Sequence, residues 1–72
     1  MIVYVASVDD CGLSTFGIFS SEEAAVNAAV KKIQERLPGA VPDIEKVRGY
    51  VSVSDEDAEI YIRVTPTKVR DE

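Results

Sequence analysis

The chain has 72 residues with 13 acidic and 8 basic side chains, a formal charge of −5, one cysteine and no histidine. That length allows one small domain, the lone thiol excludes an intramolecular disulfide, and a structural zinc site lacks its ligands. The acidic balance argues against a general nucleic-acid or anionic-membrane binder, and the expected partners include neither.

Residues Ile2 to Val8 are almost continuously apolar and β-branched, the pattern of a strand in the middle of a sheet. Asp9-Asp10-Cys11-Gly12 reads as a type I turn closing a hairpin. Leu13 to Phe19 is the return strand, with Phe16 and Ile18 expected on one face and Gly17 marking a bulge or a close backbone approach.

The segment Gly17 to Gly39 has a start signal, a periodic body and a stop signal. Ser20 followed by Glu23 reads as a capping box, which starts the helix at about Ser21. Glu22 and Glu23 in the first turn, with Lys31, Lys32 and Arg36 toward the end, match the helix dipole. Val26, Ala29, Val30, Ile33 and Leu37 recur at helical spacing as one apolar stripe. Pro38 and Gly39 then stop the helix at about Arg36 or Leu37.

Pro38 to Asp43 is a loop by composition, and a third strand begins near Glu45. In it Val47, Val51 and Val53 alternate with Arg48, Tyr50 and Ser52. After the polar turn Ser54-Asp55-Glu56-Asp57, a fourth strand sets Ala58, Ile60, Ile62 and Val64 against Glu59, Tyr61, Arg63 and Thr65. Pro66 cannot donate to a ladder and is expected at a sheet edge, so the single domain spans residues 1–66, with 67–72 a polar tail.

The fold class is therefore α+β: a four-stranded antiparallel sheet, β-β-α-β-β, with one helix on one face. The preferred strand order is 2-1-3-4, with 2-1-4-3 the alternative. A single helix crossing would put the two hairpin turns at opposite ends. Val3, Val5, Phe16, Ile18, Val51, Val53, Ile60 and Ile62 are then expected beneath Val26, Val30, Ile33 and Leu37.

Catalysis finds little to build on. Without histidine there is no Ser-His or Cys-His pair, and Cys11 beside two aspartates is held as the thiol. The four glycines match neither a phosphate loop nor a dinucleotide fingerprint. Asp55-Glu56-Asp57 with Glu59 lacks the glycine and distal glutamate of a calcium loop and reads as a solvated turn. No enzyme activity, cofactor or metal is expected. The sheet face away from the helix is the candidate site, carrying Tyr4, Arg48, Tyr50, Tyr61 and Arg63, residue types that suit recognition surfaces.

The segment Gly-Ile-Phe-Ser-Ser-Glu-Glu-Ala-Ala, between a hairpin and a helix, resembles one found in small uncharacterised bacterial and phage proteins over about Tyr4 to Ala29. The resemblance implies a compact accessory protein that acts by contact. Small acidic phage proteins that block host defence complexes, anti-CRISPR proteins among them, are similar in size and charge. The expected function is a non-catalytic interaction module binding a protein partner or itself through the sheet face. The alternative is an acidic inhibitor presenting Asp9, Asp10, Glu22, Glu23, Asp55, Glu56 and Asp57 to a basic site. The expected location is the cytoplasm, that of the host if the protein is phage-encoded, since no targeting segment or membrane span is apparent.

Overall fold

The structure, a computed structural model, describes residues 1–9 and 13–69. The expected turn at Asp10, Cys11 and Gly12 and the end of the tail at 70–72 lie outside the described residues. The chain forms β1 (Ile2–Asp9), β2 (Leu13–Phe19), α1 (Glu22–Arg36), β3 (Asp43–Val47), β4 (Tyr50–Asp55) and β5 (Ile60–Lys68). The fold is α+β, with one helix on an antiparallel sheet of five strands rather than four, in the order β2-β1-β5-β4-β3.

The additional strand comes from a break inside the expected third strand. Val47 pairs with Tyr50 across Arg48 and Gly49, and Gly49 takes φ +99, a conformation that a side chain strongly disfavours. The alternation from Val47 to Val53 thus passes through a hairpin. That reversal changes the direction of everything downstream. Asp9 at the end of β1, Leu13 at the start of β2 and the β4–β5 connection lie at one end of the sheet, where opposite ends were expected for the two hairpins. The helix C-terminus reaches the same end, while Arg48 and Lys68 lie at the other.

The strand order departs from the preferred 2-1-3-4, because β5 and not the preceding strand pairs with β1. Pro66 is therefore interior to the sheet, opposite Tyr4. Its register explains how this is tolerated. The Val69 N–H donates to the Met1 carbonyl at 2.8 Å, so residues in step with Val69 direct their backbone toward β1 and Pro66 faces the other way. On that side β4 has already ended at Tyr50, and the missing N–H costs no ladder bond. β5 continues through Thr67 and Lys68, two residues into the segment expected to be tail.

The helix is capped by Ser21, whose Oγ accepts from the Ala24 N–H at 3.2 Å. The cap is one residue later than the Ser20 reading, so Glu23 does not stand at the position of a capping-box partner. The helix ends at Arg36, with the Leu37 N–H donating to the Ile33 carbonyl. Ala25, Ala29 and Ile33 form its buried line, flanked by half-buried Val26, Val30 and Leu37. They cover Val51, Val53, Ile60, Ile62, Val64 and the fully buried Ala6. Small side chains at Ala6, Ala25 and Ala29 let the helix lie close to the sheet.

The central strand turns the other face to the core from the one expected. Tyr4, Ala6 and Val8 lie beneath the helix, while Val3 and Val5 face away. In β2 a register shift opposite Ala6 and Ser7 makes Phe16 the extra residue, so Phe16 joins Phe19 against the core and Ile18 stays on the open face, 65% exposed. Phe16 and Ile18 thus occupy opposite faces. The bulge anticipated at Gly17 is what separates them.

Candidate interaction face

The helix covers one side of the sheet, and among the described residues no element lies on the other side. Register places its side chains in rows across the strands. The row nearest the carboxylate end reads Asp9, Tyr61, Ser54 and Asp43. The next reads Thr15, Ser7, Arg63, Ser52 and Glu45, with Ser7 Oγ and Thr15 Oγ1 3.2 Å apart. The third crosses all five strands as Ile18, Val5, Thr65, Tyr50 and Val47 and is mainly apolar. Period-two alternation produces this face, since each of these residues neighbours one that points into the core.

Arg63 lies over the Tyr50 ring, Cζ to centroid 4.7 Å, a diagonal contact between β5 and β4. The stack holds a long cationic side chain flat along the sheet instead of leaving it in solvent. Asp9, Tyr50, Ser52, Tyr61 and Arg63 border a shallow hollow of about 240 Å³. Tyr61 is 51% exposed at its rim. The hollow therefore joins a guanidinium, a carboxylate, two phenols and a hydroxyl to the apolar row below it.

Of the residues that sequence reasoning assigned to this face, Tyr50, Tyr61 and Arg63 are brought together here. Arg48 sits at the β3–β4 turn, at the rim. Tyr4 belongs to the core side and leaves the set. The reading missed Ile18, Val3, Val5 and Val47, because it assigned them to the core or had β1 inverted. The β2 bulge was the signal that could have released Ile18.

The carboxylates divide by end. Asp9, Asp43, Asp55, Glu56, Asp57 and Glu59 gather around the end that holds the β4–β5 turn, while Glu22 and Glu23 start the helix at the other. In the turn, Asp55 Oδ1 accepts from the Ala58 N–H at 3.0 Å, tucking Ala58 into the core and leaving Glu56 and Asp57 in solvent. Asp10 lies outside the described residues. Among the described residues, no group of three or more carboxylates or thiols is close enough to hold a metal ion. At the helix start, Lys46 Nζ reaches Glu22 Oε1 at 3.4 Å and ties the edge strand β3 to α1.

A larger groove of about 520 Å³ runs between the end of the helix and the sheet, lined by Val8, Ser14, Lys32, Glu35, Arg36 and Ile60. Its charged walls are long, exposed side chains of both signs, and Lys32 lies 5.7 Å from the Phe16 ring centroid. Such walls fix no donor set for a ligand. Among the described residues, no helix is long and apolar enough to cross a membrane. Compared with known proteins, the chain matches no family model, no curated protein and no solved structure.

Proposed function

We propose that this protein is a small non-catalytic interaction module whose open sheet face is the contact surface for a protein. The observation that carries this reading is the row Ile18–Val5–Thr65–Tyr50–Val47, which crosses all five strands on a face that no helix covers. Beside it the Arg63–Tyr50 stack and Tyr61 supply the large, semi-rigid, amphipathic side chains on which protein contacts tend to be centred. The pair of substitutions Tyr50→Ala and Tyr61→Ala should weaken association at least about tenfold. The exposed helix substitution Asn27→Ala should not. Equal effects of the two, or none from the tyrosines, would remove the reading.

A second reading has its own support. Asp9, Asp43, Asp55, Glu56, Asp57 and Glu59 surround one end of the sheet, an arrangement that suits an acidic inhibitor of the anti-CRISPR kind, directed at a basic site. Binding of that kind weakens steeply with salt. The sheet-face reading predicts binding that changes little between low and high ionic strength.

A further inference from the structure

We infer that the outer edge of β3 is a contact surface separate from the open face. An extended segment of a partner protein pairs there as a further antiparallel strand, with basic side chains opposite Asp43 and Glu45 and an apolar one opposite Ile44.

The backbone selects this edge. β3 ends the sheet, and β4 is its neighbour on one side alone. The Val69 N–H bonds the Met1 carbonyl, which fixes the residues of each strand that bond each neighbour. Carried across the unbroken registers from β1 to β3, this phase turns Asp43, Glu45 and Val47 toward β4 and leaves the N–H and C=O of Ile44 and Lys46 pointing outward. Alternate residues are what a straight strand needs. On β2 the same phase leaves Thr15 and Ile18 outward, but the bulge puts them out of step, so one straight strand cannot bond both.

Apolar surface lies beside the outward groups. Ile44 faces the helix side opposite the fully buried Val53, yet it is 55% exposed. Among the described residues, α1 packs on β1, β2, β4 and β5 and reaches β3 through the Lys46–Glu22 pair. Lys32 lies against Phe16 of β2, so by helical spacing the opposite flank, half-buried Val26, Val30 and Leu37, looks toward β4 and β3. A side chain opposite Ile44 covers it and extends toward that flank.

Charge decides the occupant. Asp43 and Glu45 margin the open face and take non-hydrogen-bonded positions toward an added strand, where opposed side chains come closest. Lysine or arginine opposite them complements the edge. A second copy of β3 does not: about a two-fold axis normal to the sheet, its registers set Glu45 on Glu45, Asp43 on Glu45, or Lys46 on Lys46. The edge thus rejects itself and favours a basic strand, in keeping with the formal charge of −5.

The probe is the end-capped peptide Thr-Val-Thr-Lys-Val-Lys-Thr, titrated to millimolar concentration into ¹⁵N-labelled protein. Amide shifts should centre on Ile44 and Lys46, with hydrogen exchange of those amides slowed. The peptide with both lysines replaced by glutamate should bind at least several-fold more weakly. Ile44→Pro removes an outward N–H without touching the ladder to β4 or the charge, and should abolish the shifts while the spectrum stays that of a folded protein. Asp43→Lys combined with Glu45→Lys should reverse the preference between the peptides. No binding at millimolar peptide, equal binding of the two peptides, no reversal, or shifts that survive Ile44→Pro would each overturn the inference. Shifts confined to Val5, Ile18, Tyr50 and Arg63 would also overturn it, while keeping the open face as the contact surface.

Discussion

The ring of Phe19 lies over Gly17, so closely that a Cβ built at Gly17 would fall 2.6 Å from Phe19 Cε2 and 2.7 Å from Cζ. Phe19 is packed against the core, and its ring cannot move away without losing contacts. The glycine thus serves two ends at once: it completes the bulge that sends Phe16 inward, and it makes room for the aromatic residue that closes this edge of the core. Gly17→Ala should therefore destabilise the protein by about 1–3 kcal/mol, the usual range for forcing atoms into a filled site. Urea unfolding measures this directly, and an unchanged midpoint would contradict the packing described.

The helix cap offers a sharper comparison. Ser21 Oγ accepts the Ala24 N–H, whereas Ser20 lies outside the cap position. Replacing Ser21 with alanine should cost about 0.5–2 kcal/mol. The same change at Ser20 should stay within about 0.5 kcal/mol, as for an ordinary surface site. Thermal unfolding of the two variants side by side decides which serine starts the helix.

Glu59 has φ +54, the left-handed region that side chains disfavour, and its N–H donates to the Glu56 carbonyl at 3.2 Å to close the β4–β5 turn. Glycine at this position removes a backbone cost of about 1–2 kcal/mol, part of which is offset by the greater freedom of the unfolded chain. Glu59→Gly should raise stability by about 0.5–1 kcal/mol. A fall in the unfolding midpoint would show that the glutamate side chain stabilises the turn in some other way.

The legible parts of the fold are those where several local signals coincide. The helix declared itself through its capping serines, its charge order, its apolar spacing and the Pro38-Gly39 stop, and its end at Arg36 agrees. The β5 alternation was equally plain, and Ile60, Ile62 and Val64 are buried as it implies. Two features were not legible. Ile2 to Val8 is apolar at both parities, so nothing local decides which side faces the helix; the small size of Ala6, matched to Ala25 and Ala29, is the deciding fact, and it acts only once the two elements meet. Edge strand β3 lies beyond the helix's cover, with Ile44 55% exposed, and so shows no buried alternation of its own. Only Gly49 marked the turn that sets it apart. The candidate site follows the same division. Tyr50, Tyr61 and Arg63 lie on strands whose alternation is clean, whereas Tyr4 lies on the strand whose facing the pattern left open.

The most direct test of the central claim, that the open sheet face is the surface of contact, is the concentration dependence of backbone amide chemical shifts in a uniformly ¹⁵N-labelled sample, repeated with any captured partner. If this face makes the contact, shifts concentrate at Val5, Ile18, Val47, Tyr50, Arg63 and Thr65, with the exposed helix positions Asn27, Lys31 and Gln34 unmoved. Shifts confined to the helix, or to the carboxylates of the β4–β5 turn, would contradict it.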